Sequence, residues 1–90
     1  MKKIIITVVG KDRVGIIARV CTYLSNNQIN ILDITQTIIS DMFNMMVIAD
    51  MEKSDKPFEI ISDELRNLGE EMGLRILAQK EEIFTEMHRI

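Results

Sequence analysis

The sequence predicts an α+β fold: one four-stranded antiparallel sheet with two helices on one face, in the order βαββαβ. Three observations carry this. Four β-rich runs surround two segments whose apolar residues recur at helical spacing. The break between the second and third runs is only "SD" at 40–41, short enough for a hairpin. Each helical segment has a single apolar stripe, so both can be satisfied by one face of the sheet.

Taken in order, "KIIITVV" at 3–9 is rich in β-branched residues and ends at Gly10, which reads as a buried strand. Apolar residues then fall at Val14, Ile17, Ala18, Cys21 and Leu24, the stripe of a helix that "SNNQ" at 25–28 terminates. "INILDITQTIIS", 29–40, is the second strand. Its alternation changes phase: Ile29 and Ile31 share one, Leu32, Ile34 and Ile38 the other. A bulge or bend near 31–32 reconciles them, and so does a strand buried on both faces there. "MFNMMVIADM", 42–51, completes the hairpin. "EKSDKP" is a loop with Ser54 or Asp55 near a helix start and Pro57 suited to the first turn. Phe58, Ile61, Leu65, Leu68 and Met72 mark the second helix, and Gly73 is placed to stop it. "LRILAQ" follows as the last strand, with Leu74, Ile76 and Ala78 on one side. Ile83, Phe84, Met87 and Ile90 lie on one face of an expected tail helix over about 80–90, a self-packing or dimer-contact element. The whole is expected to be one domain, 1–90, with its core over about 3–79. This is the order of the ferredoxin-like sandwich. The sheet face away from the helices is then wet, liganded or paired, and Asp33, Thr35, Thr37 and Gln36 of the second strand make it partly polar.

Composition narrows the functional classes. Ninety residues with 47% apolar content support one aliphatic core, since there are only three Phe, one Tyr and no Trp. A net charge of −3 argues against nucleic acid, and the third strand offers only Phe43 for stacking on bases. No run reaches a membrane span. "MKKIIITVVG" starts like a signal peptide, but its apolar run is too short and no cleavage site follows. A single cysteine, Cys21, fits a reducing cytoplasm. Cys21 and the one histidine, His88, belong to no ligand cluster, so no metal or other cofactor is expected, and no nucleophile–base set stands out. Methionines 42, 45, 46 and 51 suit a core or a strand-pairing surface.

The stretch "VVGKDRVGIIARV", 8–20, holds the chemistry. It is the first strand-to-helix turn, with Asp12 as a candidate N-cap and the N–H groups of Arg13, Val14, Gly15 and Ile16 free to hold an anion. A glycine in a first turn costs about 1 kcal/mol relative to alanine. Gly15 either leaves those donors open to a ligand or lets the helix approach the sheet. Asn30 admits two readings as well, a ligand contact or a turn residue in left-handed backbone.

"VGKDRVGIIARVCTYLSNNQINILDITQT" resembles the start of an ACT domain, in which a strand leads into an Asp-Arg-x-Gly-hydrophobic-hydrophobic turn and helix, then an Asn-hydrophobic second strand. The matching residues are Asp12, Arg13, Gly15, Ile16, Ile17, Asn30 and Ile31. Val14 stands where the family often has proline. The resemblance covers roughly residues 3–79 and implies a regulatory module, not an enzyme, that binds an amino acid or similar metabolite between two copies of the domain. Asp12, Arg13, Val14, Gly15, Ile16 and Ile17 would line one side, and Asn30, Ile31 and Asp33 of the neighbour the other. It is similar to small stand-alone ACT proteins and to glycine-cleavage regulators, which implies a homo-oligomer acting on a protein target. The competing class is a constitutive dimerisation scaffold without ligand. A remoter one is an acylphosphatase, since "GIIAR", Gly15 to Arg19, has that fold's Gly-to-Arg spacing but lacks its aromatic.

Overall fold

Residues 1–82 are described by the computed structural model. The β-branched run forms β1 (Lys3–Lys11), and α1 (Ile16–Asn26), β2 (Asn30–Ile39), β3 (Met42–Asp50), α2 (Phe58–Met72) and β4 (Leu74–Lys80) follow. The strands make one sheet in the order β2-β3-β1-β4, each neighbouring pair antiparallel. This is the ferredoxin-like arrangement. The expected tail helix with Ile83, Phe84, Met87 and Ile90 lies outside the described residues beyond Glu82.

Period-two alternation sets the layers. Ile4, Ile6 and Val8 of β1, Phe43, Met45, Val47 and Ala49 of β3, and Leu74, Ile76 and Ala78 of β4 enter the core beneath the helices. Ile61, Leu65, Leu68 and Met72 of α2 meet them, the stripe expected from spacing. Gly73 ends α2 in the left-handed region at φ 71°, donating its N–H to the Glu70 carbonyl. Pro57 stands just outside α2 as its N-cap, one position earlier than expected. Met45 and Met51 fill the core, whereas Met42 and Met46 are exposed.

The first helix departs from expectation. Its buried stripe is Ile16, Val20 and Leu24. Val14 is outside the helix and 98% exposed, Ile17 is 39% exposed, Ala18 is exposed and Cys21 half-buried. Of the stripe read from the sequence only Leu24 is fully buried; the helix begins two residues later than Val14, and Ile16 and Val20 face the sheet in place of Ile17 and Cys21. On its other flank Tyr23 and Arg19 reach Glu64 and Glu71 of α2. Ile17 and Cys21 consequently look away from α2, toward the β2 edge.

In β2 the register slips between Ile31, opposite Ala49, and Asp33, opposite Ile48. Leu32 is the extra residue of a bulge. This resolves the phase change: Ile31, Ile34 and Ile38 lie opposite Ala49, Val47 and Phe43, all core residues. Asp33, Thr35 and Thr37 lie opposite Ile48, Met46 and Asn44 on the open face. Gln36 is opposite Met45 and so belongs to the helix side, not the open face as expected. From Leu32 to Ile39 every residue of β2 is exposed.

Candidate functional site

The β1–α1 turn is held at two points. Asp12 donates its backbone N–H to the Asp41 carbonyl in the β2–β3 turn at 2.7 Å. Arg13 donates Nη1 to the Met72 carbonyl at 2.9 Å, meeting the C-terminal end of α2, where a cation is favoured. Arg13 is thus a strut between the turn and α2. Asp12 does not cap α1. The N-cap is Gly15, and no side chain caps the helix. The first intrahelical bond runs from Arg19 N–H to the Gly15 carbonyl at 3.0 Å. The N–H groups of Ile16, Ile17 and Ala18 precede it, and no acidic residue lies in the first turn. The open donors are therefore shifted from the expected Arg13–Ile16 set to Ile16–Ala18.

Gly15 adopts φ 93° and ψ 0°, and a Cβ built there would meet nothing within 4 Å. Close packing on the sheet is not its reason. The left-handed backbone is, and the space beside it is open.

Asn30 lies at the other end of the sheet, opposite Asp50, which itself pairs with Lys3. It is a strand residue. The left-handed residue of the α1–β2 connection is Gln28, φ 60°, which removes the turn reading of Asn30. Cys21, Gln28, Asn30, Ile31, Asp50 and Lys53 border an open groove of about 620 Å³. Asp33 and the Asp12–Ile17 turn do not border it. Within one chain the predicted site residues are thus split: Asp12, Arg13, Val14, Gly15, Ile16 and Ile17 at one end, Asn30 and Ile31 at the other, and Asp33 beyond the bulge.

Asp50 and Lys53 escaped the sequence reading. Counting back from Ile39 opposite Met42 sets Asn30 opposite Met51, and only the bulge at Leu32 brings Asp50 there instead. Asp50 Oδ1 accepts the backbone N–H groups of Lys2 and Glu52, both at 3.0 Å. These bonds, Glu52 first, hold its carboxyl below the usual range. A second groove of about 510 Å³ runs beside Phe58 and Lys80, bounded by Glu81 and Glu82, and holds none of the predicted site residues. Among the described residues no three His, Cys, Asp or Glu side chains are grouped to hold a metal, and no helix is long and apolar enough to cross a membrane.

The ACT domain family profile matches residues 2–79. A UPF0237 protein of Bifidobacterium longum is 60% identical over 90 residues, the whole of both chains. An ACT domain protein from Streptococcus pneumoniae superposes with a TM-score of 0.82 at 35% identity, covering 92% of this chain and 93% of that one. A putative glycine cleavage system transcriptional repressor gives 0.74 at 25% identity, over 88% of this chain but 45% of that one. With the sequence, the sheet order and these likenesses in agreement, the chain belongs to the ACT domain family.

Proposed function

We propose that this chain is a regulatory module that binds a small metabolite, most simply an amino acid, between two copies of itself. The observation that carries the reading is the pair of half-sites at opposite ends of one sheet. One is a set of uncapped helix donors on a braced turn, the other an open groove beside Asn30. A second copy can unite them. Strand β2 is an exposed edge, and such edges pair. Antiparallel pairing with its own copy about a two-fold centred near Gln36 sets Asp33 across from Ile39 of the other chain, so that Asn30 lies just past that strand's end, at the Ser40–Asp41 turn. That is next to the Asp12–Asp41 bond and the Gly15 turn. The apolar flank of α1 (Ile17, Cys21) and the uncovered Ile34 and Ile38 of β2 would be buried by the same contact.

The Ile16–Ala18 donors and the positive end of α1 suit a ligand carboxylate. A ligand bridging two copies favours the arrangement it bridges, by the difference in its affinity for the two arrangements. That bias is the signal a protein target would read. The free Cys21 thiol suits a reducing cytoplasm.

A thermal-shift panel of free amino acids and common metabolites tests this. A ligand at a hundredfold its dissociation constant adds about 2.7 kcal/mol, a rise of about ten degrees or more for a domain of this size. The shift should vanish in Gly15→Val, whose side chain would project into the open space beside the donors. Flat melts across the panel favour the scaffold reading.

A further inference from the structure

We infer that Asp50 is the acceptor for a ligand ammonium, so that the site takes zwitterions, α-amino acids above all. The inference rests on the intersubunit reading above and adds a residue that the ACT motif does not contain.

Two observations single Asp50 out. It lies directly opposite Asn30 in the β2–β3 register, and both border the same groove. Its carboxylate is also fixed before any ligand arrives. The Lys2 and Glu52 N–H groups both bond Oδ1 at 3.0 Å, and no hydrogen bond among the described residues reaches Oδ2. A carboxylate anchored through one oxygen offers the other without losing side-chain freedom on binding. The nearby α-ammonium of Met1 is bonded to Glu52 at 2.8 Å and, like Lys53, acts on Asp50 only through space.

Neither of the two carboxylates among the expected lining residues, Asp12 and Asp33, borders this groove in the same chain. Asp33 lies beyond the bulge, outside the groove, and Asp12 reaches the site only with the second copy, on the side of the α1 donors that take the ligand carboxylate. The Asn30 amide oxygen can share the ammonium with Asp50. The ligand carboxylate then points to the Ile16–Ala18 donors of the second copy. Lys53 borders the groove and enters none of the ion pairs among the described residues. It favours an acidic ligand side chain over a basic one.

Calorimetric titration of the full chain with L-glutamate, glycine and L-lysine, and with glutarate and acetate as their counterparts lacking the amine, tests the assignment. L-glutamate should bind at least tenfold tighter than glutarate. Asp50→Asn should lose at least tenfold toward L-glutamate while staying folded, its melting temperature lowered only modestly, because the amide oxygen still accepts the two backbone N–H groups but without the charge that strengthens them. Lys53→Ala should narrow the gap between L-glutamate and glycine.

Equal affinity for glutarate and L-glutamate overturns the role of Asp50, as does an Asp50→Asn variant that binds like the parent. Silence from all five compounds overturns it too. In that case the module reading fails only if the wider metabolite panel is also flat.

Discussion

Gly15 and Gly69 are glycines for opposite reasons, and single substitutions separate them. A Cβ on Gly15 would enter open space, so Gly15→Ala meets only the left-handed backbone, a cost of about 1–2 kcal/mol. A Cβ on Gly69 would lie 2.9 Å from Ile76 Cγ1, 2.9 Å from the Leu74 carbonyl oxygen and 3.1 Å from the Ile76 nitrogen. Two of those neighbours are backbone and cannot rotate away, so α2 must lift from β4. Gly69→Ala is expected to cost about 1–3 kcal/mol, read by urea unfolding, and to leave ligand response at the distant α1 terminus intact. Gly15→Ala should weaken that response. The sequence announced only the first of these glycines. Gly15 breaks a helical start, beside Asp12 and Arg13 and within a family motif, whereas the contact that demands Gly69 exists only once α2 lies on β4.

At the scale of elements, both helices were legible but the buried face of α2 alone was, for one physical reason. α2 carries a single apolar stripe. α1 carries two, Ile16–Val20–Leu24 and Ile17–Ala18–Cys21, and periodicity cannot say which faces the sheet. The phase is set by Gly15, whose left-handed backbone starts the helix at Ile16. The link between the helices was also invisible in the sequence. Tyr23 donates its hydroxyl to Glu64 Oε1 at 2.7 Å, and Lys56 donates Nζ to the same oxygen at 2.8 Å. These bonds, Lys56 first, hold the Glu64 carboxyl below its ordinary value. A carboxyl so depressed stabilises the fold above its unfolded pKa of about 4.3 and loses that contribution as pH falls through the folded value. Glu64→Gln should therefore lower stability at pH 7 and lose less of it between about pH 5 and pH 3. Tyr23→Phe should cost about 1 kcal/mol at pH 7, the worth of one partly exposed bond to a charged group. Urea titrations at the two pH values check both.

For the molecule as a whole, the order of elements was readable because each strand announces itself by composition and each turn by its breakers. The division of the site was readable only in part. The motif named residues on both halves, but their separation to opposite ends follows from the turn lying at the exit of β1 and Asn30 at the start of β2, two strands that enter the sheet from the same end, and the place of Asp50 from one bulge. On the proposed intersubunit reading that separation makes assembly a condition of ligand binding, which yields the last prediction. Ile17 on α1 and Ile34 on β2 are 39% and 37% exposed, and Ile60 on α2 is 43% exposed. Exposure alone ranks the three alike. Only Ile17 and Ile34 adjoin the β2 edge, whereas Ile60 lies on the helix that covers β4. If two copies pair through that edge, Ile17→Asp and Ile34→Asp each bury an unpaired carboxylate in the contact and should shift the protein toward monomer in sedimentation equilibrium. Both should lose the ligand-induced rise in melting temperature with it. Ile60→Asp should leave assembly and ligand response unchanged. A protein that sediments as a monomer with all three positions native, yet still responds to ligand, would require both halves of the site to work apart. Gly15 follows one end of the sheet and Asn30 begins the other, so that result would overturn the intersubunit reading.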